Sequence, residues 1–189
     1  ATYLNNSREI TIWRLEELEK VANHEYLHSI RVDYDIQDFN KEFNKKIKQY
    51  ICISDDNHIK LFETYTELWT TIINIIVNSY ELQKIRGIQS FQEFSQNLVA
   101  VYNMEVNFCL YQIAKISILF GYSKYEEFWH PTMCNNNRNP KEFIQTSSII
   151  SYYILKTALL FNINGFLSFA YNNNNHFIKF SSLCSNYKK

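Results

Sequence analysis

Apolar positions recur at three- and four-residue spacing through most of the chain, which predicts helices rather than strands. Ile12, Leu15, Leu18, Ala22, Tyr26 and Ile30 predict a first helix from about Ser7 to Ile30, with Glu16, Glu17, Glu19 and Lys20 on the opposite face. A second segment, Asp35–Ile51, places Ile36, Phe39, Phe43, Ile47 and Tyr50 on one stripe and Lys41, Lys45, Lys46 and Lys48 toward solvent. The longest pattern predicts a helix over His58–Gln83. Leu61, Tyr65, Leu68, Ile72, Ile75 and Ser79 share one face, with Phe62, Trp69, Ile73, Ile76 and Tyr80 beside it. So wide an apolar arc marks a helix central to the core.

Local signals punctuate these patterns. Ser54, Asp55, Asp56 and Asn57 offer cap oxygens for the amides that open a helix, and Ser90 with Glu93 has the spacing of a capping box. A short helix is expected over Phe91–Tyr102 and another over Met104–Phe120, closed by Gly121. Ser123 and Glu126 repeat the capping spacing before a polar loop around His130, Cys134 and Arg138. Asn139-Pro140 then predicts the start of a helix reaching Asn162 and ending at Asn164-Gly165, and His176–Tyr187 predicts a last amphipathic helix. No repeat or linker divides this single helical domain.

Composition sharpens the class. Three glycines and two prolines in 189 residues are too few for a domain rich in tight turns, so the chain reads as all-α. Lys plus Arg and Asp plus Glu both total 19, so overall charge favours neither nucleic acid nor an anionic surface. The four cysteines, Cys52, Cys109, Cys134 and Cys184, are widely spaced and read as free thiols. A polar N-terminus with Arg8, Glu9 and Glu16 does not resemble a signal peptide. The most apolar region, Phe143–Tyr171, is broken by Lys156, Asn162 and Asn164 and reads as a buried helix rather than a membrane span. Asn-rich runs at 135–137 and 172–175 suit an AT-biased genome, of which apicomplexan parasites are one source.

Several clusters carry candidate chemistry. His24-Glu25-Tyr26-Leu27-His28 resembles the HExxH pattern of zincins, in which two histidines on one helix face hold zinc and a glutamate activates water. Five-residue patterns of this kind arise by chance, and no third ligand stands out downstream. His130 with Cys134, and the pair Asp55-Asp56, are weaker hydrolase candidates. Lys41, Lys45, Lys46 and Lys48 form a small basic face, a solvated surface or a partner contact.

A longer resemblance runs through the chain. Phe43, Ile47, Asp55 or Asp56, Ile59, Lys60, Leu61, Tyr65 and Trp69 follow an order that resembles the first-to-second helix junction of the heme oxygenase family. Phe94–Asn103 resembles the family's Leu-x-x-Asp-Leu-x-x-x-Tyr-Gly segment, with Asn97 for Asp and Asn103 for Gly. Pro140–Tyr153 resembles the start of its distal helix, and Gly165–Cys184 its aromatic and basic closing segment. The resemblance implies a helical bundle of the heme oxygenase type.

It also implies a lost active site. The position of the family's iron-binding histidine falls at Asp35, which offers no imidazole. Its glycine-rich distal kink is replaced by a stretch containing Ile154, Leu155 and Leu159, whose side chains would fill the cavity. Of the basic residues that meet heme propionates, Lys179 matches one, while Ser181 and Ser185 stand at the others. The expectation is a pseudoenzyme without a cofactor or a small-molecule substrate, acting on a protein or nucleic-acid partner. A plastid is the expected location, reached through a removed transit segment. The alternatives are a divergent heme oxygenase using His28, a Bcl-2-type interaction domain, with which Asn107–Gly121 is compatible though it lacks the Asn-Trp-Gly-Arg signature, and a zinc hydrolase built on His24 and His28.

Overall fold

A computed structural model describes residues 2–4, 9–12, 15, 17–33, 40–47, 49–51, 59–87, 90–124, 145, 147–174 and 177–178. Most of these residues are helical, in keeping with an all-α class. Their order is β1 (Thr2–Leu4), β2 (Glu9–Thr11), α1 (Leu18–Ser29), α2 (Asn40–Ile47), α3 (Leu61–Arg86) and α4 (Phe91–Leu119). A π-helical turn, π1 (Ile150–Leu155), α5 (Lys156–Phe161) and α6 (Ile163–Asn173) complete it.

The first helix is shorter than its pattern predicts. Residues 9–11 pair with residues 2–4 as an antiparallel hairpin, Thr2 opposite Thr11 and Leu4 opposite Glu9, so the helix begins only at Leu18. Ile10, Thr11 and Ile12 are consecutive β-branched residues, stiff at χ1 and better suited to a pleated strand. Ile12 and Leu15 fitted a helical stripe only by coincidence of spacing.

Helix α2 lies inside the expected second segment and locks the entry to α3. The buried Asn44 amide donates to the carbonyls of Asn40 and Ile59 at 2.7 and 2.6 Å and accepts from the Ile59 N–H at 2.7 Å. The Asn40 side-chain oxygen accepts from the Leu61 N–H at 2.7 Å. The opening amide of α3 is therefore satisfied across the chain, while Ser54, Asp55, Asp56 and Asn57 lie outside the described residues. Gly87 ends α3 at φ 68°, a left-handed conformation that costs glycine least.

Ser90 caps α4, its hydroxyl accepting from the Glu93 N–H at 3.1 Å. The two helices expected over Phe91–Tyr102 and Met104–Phe120 are one 29-residue helix. Asn103 between them is a mild helix breaker at most, and neither glycine nor proline interrupts the run. Gly121, at φ 74°, turns the chain after it as expected.

The closing helices bend at a different residue from the expected one. The chain breaks at Asn162, and α6 runs straight through Gly165. A β-carbon at 165 would come within 2.6–2.9 Å of the Asn162 side chain, so this glycine permits a close approach rather than a stop. Expected helix ends around His176–Tyr187 lie outside the described residues except 177 and 178.

Two apolar clusters hold these elements. One gathers Leu27, Leu68, Trp69, Cys109, Leu160, Phe166 and Ala170, with the Trp69 and Phe166 rings 5.4 Å apart. The Tyr102 hydroxyl donates to the Leu160 carbonyl at 2.7 Å beside it. The other joins Ile51, Ile59, Ile116, Ile150, Ile154 and Leu155. Among the described residues no single helix is long and apolar enough to cross a membrane, and the one pair that passes together is bent by 91°.

Candidate metal centre

Between the clusters runs a seam of charge. Three helix faces meet there, each presenting side chains four residues apart: Lys20, His24 and His28 on α1; Glu63 and Glu67 on α3; Tyr152 and Lys156 on π1 and α5. Residues at this spacing lie on one side of a helix, so each triplet or pair forms a row. Rising numbers on α1 meet falling numbers on α3, which makes that pair antiparallel. Tyr152 meets Glu63 and Lys156 meets Glu67, so π1 and α5 run parallel to α3.

At the centre, three ligand-type atoms converge. His24 Nε2 and His28 Nε2 are 3.1 Å apart, and each lies 3.4 Å from Glu63 Oε2. A tetrahedral ion with bonds of about 2.0–2.1 Å separates neighbouring ligand atoms by roughly 3.4 Å. The triangle therefore has the size that such an ion requires. His24, His28 and Glu63 form the group with metal-ligand geometry found among the described residues.

The outer nitrogens are held by carboxylates. His28 Nδ1 meets Asp33 Oδ2 at 2.9 Å, with the Asp33 side chain almost fully buried. Such a partner fixes the ring so that Nε2 faces inward, as outer carboxylates do at histidine metal sites. His24 Nδ1 approaches Glu67 Oε2 at 3.1 Å, but the N–H direction is off-line for a hydrogen bond. This contact is one of charge rather than a hydrogen bond.

Carboxylates outnumber lysines in the seam. Glu67 and Glu105 pair with Lys20 and Lys156, while Asp33 and Glu63 pair with the histidines alone, which sets four carboxylates against two lysines in the seam. With neutral imidazoles these groups carry two excess negative charges, which one divalent cation cancels. Without an ion, protons take its place. Burial alone would lower the pKa of His28, but hydrogen bonds to Asp33 and Glu63 outweigh it and raise the pKa to about 9. Burial opposes ionisation of Glu63 too, yet the two histidines and Tyr152 hold its carboxyl far below the ordinary range. Burial and the neighbouring Glu63 carboxylate push the Tyr152 phenol well above its ordinary value, so it stays a hydrogen-bond donor.

A cleft of about 530 Å³ reaches this centre at His24, while His28 and Glu63 stand behind its lining. Glu25, His24, Glu67 and Tyr152 line it together with Val21 and Phe108. Tyr152 donates to Glu63 Oε2 at 2.9 Å, and its ring stands edge-on to His24 with 6.0 Å between centroids. The arrangement can therefore hold an ion, present a carboxylate and a phenol beside it, and admit a ligand.

The other expected residues have different surroundings. Lys41, Lys45 and Lys46 are exposed on α2, and Lys46 pairs with Glu42 at 2.7 Å. Ile154 and Leu155 are buried in the second apolar cluster. Asp35, Lys48, His130, Cys134, Lys179, Ser181 and Ser185 lie outside the described residues.

No third ligand-type residue stands out downstream of HEYLH in the sequence, and packing brings Glu63 Oε2 to the two imidazoles. Glu63 escaped notice because Phe62–Tyr65 reads as the start of an apolar arc. The available signal was Glu63 and Glu67, two acids four apart on a helix otherwise destined for the core. Lys156, alone in an apolar run, was the matching signal on the third helix.

No family model matches the chain, and no solved structure matches it. It is 29% identical over 162 residues to Uncharacterized protein R210 of Acanthamoeba polyphaga mimivirus, a stretch covering 84% of this chain and 38% of that protein. The chain thus spans well under half the length of this relative.

Proposed function

We propose that this protein is a zinc-dependent hydrolase that cleaves amide bonds. The observation that carries this reading is the 3.1–3.4 Å triangle of His24 Nε2, His28 Nε2 and Glu63 Oε2. Two histidines and a glutamate leave the fourth position of a tetrahedral zinc ion open, as catalytic sites require. Zinc bound there supplies an acidified water and a Lewis acid for the scissile carbonyl. Glu25, in the cleft beside His24, would act as the general base toward the attacking water and return the proton to the leaving nitrogen. Tyr152 keeps its phenolic proton and donates it in a hydrogen bond to Glu63 Oε2, holding that carboxylate beside the two imidazoles. Asp33 and Glu67 keep the two rings aimed inward.

The decisive test is metal content of the purified chain after zinc reconstitution, followed by cleavage of a fluorescein-labelled unfolded protein. One zinc per chain, lost in His24→Ala, supports the reading, and cleavage absent from Glu25→Gln completes it. Failure to retain any stoichiometric metal rejects it. Iron retained in place of zinc redirects the same two-histidine, one-carboxylate set toward oxygen chemistry.

The heme-oxygenase-like pseudoenzyme is the competing proposal, favoured by the burial of Ile154 and Leu155 where a cofactor would need space. It gives the converging histidines no task. A hemin titration separates it from a divergent heme oxygenase using His28, which requires a one-to-one Soret band.

A further inference from the structure

Lys156 is a buried charge that the hydrolytic scheme leaves unused. It is 1% exposed and stands where π1 passes into α5, packed among the cores of three helices. Its Nζ lies 2.9 Å from Glu105 Oε1 on α4 and 3.3 Å from Glu67 Oε1 on α3. Taking an ammonium out of water costs several kcal/mol unless its partners are well placed. A hydrophobic residue would fill the same space without that cost. The lysine therefore calls for a reason beyond packing.

Its partner supplies one. Glu67 has two oxygens with separate duties: Oε1 receives Lys20 at 2.8 Å and Lys156 at 3.3 Å, while Oε2 faces His24 Nδ1 at 3.1 Å. Lys20 sits on α1, one turn from His24, and moves with the ring it would have to steady. Lys156 approaches from the third helix and is tied to a fourth through Glu105. It holds Glu67 from a frame independent of α1.

We propose that Lys156 is a positioning residue for the metal centre. It clamps the Glu67 carboxylate so that Oε2 fixes the His24 ring with Nε2 directed at the ion. This inference rests on the metal-dependent reading above and deepens it. Charge and position predict opposite signs here. A lysine acting only as a nearby positive charge opposes a cation, so its removal tightens zinc binding. A lysine that positions Glu67 is needed for full affinity, and its removal weakens binding.

The test is zinc affinity of the full chain, measured by competition with a chromogenic chelator, alongside the visible spectrum of the cobalt form. The variant Lys156→Met/Glu105→Gln removes the buried lysine together with one carboxylate, so the net charge stays constant and no buried charge is left unpaired. Outer partners of histidine ligands typically contribute 10–100-fold in metal affinity. At least tenfold weaker zinc binding is expected, with an altered cobalt spectrum and helical circular dichroism retained. Combining it with Glu67→Gln should add nothing further, because the two changes act through one carboxylate.

Unchanged affinity in the double variant overturns the inference while leaving the metal centre standing. Should that variant not fold, Lys156→Met alone decides: weaker binding supports the clamp, and equal or tighter binding overturns it. Failure of the unaltered chain to bind zinc is a different result, which rejects the metal reading itself.

Discussion

The cluster around Trp69 and the seam around Glu63 lie on the same helix and obey opposite rules. Leu68, Trp69, Leu160 and Phe166 satisfy one another by shape and exclusion of water, and each contact tolerates some adjustment. In the seam, His24, His28, Glu63, Glu67, Lys20 and Lys156 satisfy one another only as a set. Remove a member and a buried charge is stranded. The apolar cluster is what a fold needs; the seam costs free energy that a fold alone does not repay. Helix α3 thus has two unlike parts: its apolar arc organises the core, and its first two turns hold the carboxylates of the charged seam.

Helix α1 makes the contrast sharper. Of its residues only Leu27 is fully buried, while Leu18 and Tyr26 are exposed. It is attached to α3 by Lys20, His24 and His28 more than by apolar area. An ion bound to both histidines and Glu63 would staple α1 to the bundle.

Breaking the centre should have the largest effect on function. His24→Ala or His28→Ala is expected to abolish stoichiometric zinc binding and all hydrolysis, read by metal analysis and the labelled-protein assay. Glu25→Gln should keep the zinc and lose activity by about 10²–10⁴-fold, the usual share of a general base. Equal activity in that variant would remove Glu25 from the scheme.

Breaking the apolar cluster should do the reverse. Trp69→Ala is expected to cost about 3–5 kcal/mol of stability in urea unfolding. Hydrolysis by the fraction that remains folded should be little changed, because Trp69 does not line the cleft. A loss of specific activity larger than the loss of folded protein would show that the two regions are not separable.

Three smaller effects refine the comparison. Chelation should lower stability by about 2.7 kcal/mol relative to protein held at a hundredfold excess of zinc over its dissociation constant. Hydrogen exchange should locate the added mobility in α1 before α4, since α1 has less apolar anchorage. Asp33→Asn should weaken zinc by about 10–100-fold through His28, without unfolding the chain. The smallest expected effect is at Lys46→Ala, where an exposed pair with Glu42 is lost and the melting temperature should not move.

Much of this molecule is written locally. The periodicity of Leu61, Tyr65, Leu68, Ile72 and Ile75, the Ser90–Glu93 cap and the glycines at 87 and 121 mark helices and their ends because these effects act within a few residues. The HEYLH spacing likewise places His24 and His28 on one face of α1 whatever surrounds it. Where two local patterns overlapped, as at Ile10–Ile12, spacing alone chose helix and the strand partner at residues 2–4 decided otherwise. Glu63 belongs to a different order of information. Glu63 follows His28 by a long stretch of chain and approaches it only because α1 and α3 pack antiparallel. Tyr152 and Lys156 arrive from a helix 89 residues beyond their partners. The helical class and one row of histidines follow from local spacing; packing decided which carboxylates face that row, because their approach depends on distances between helices that no local spacing contains.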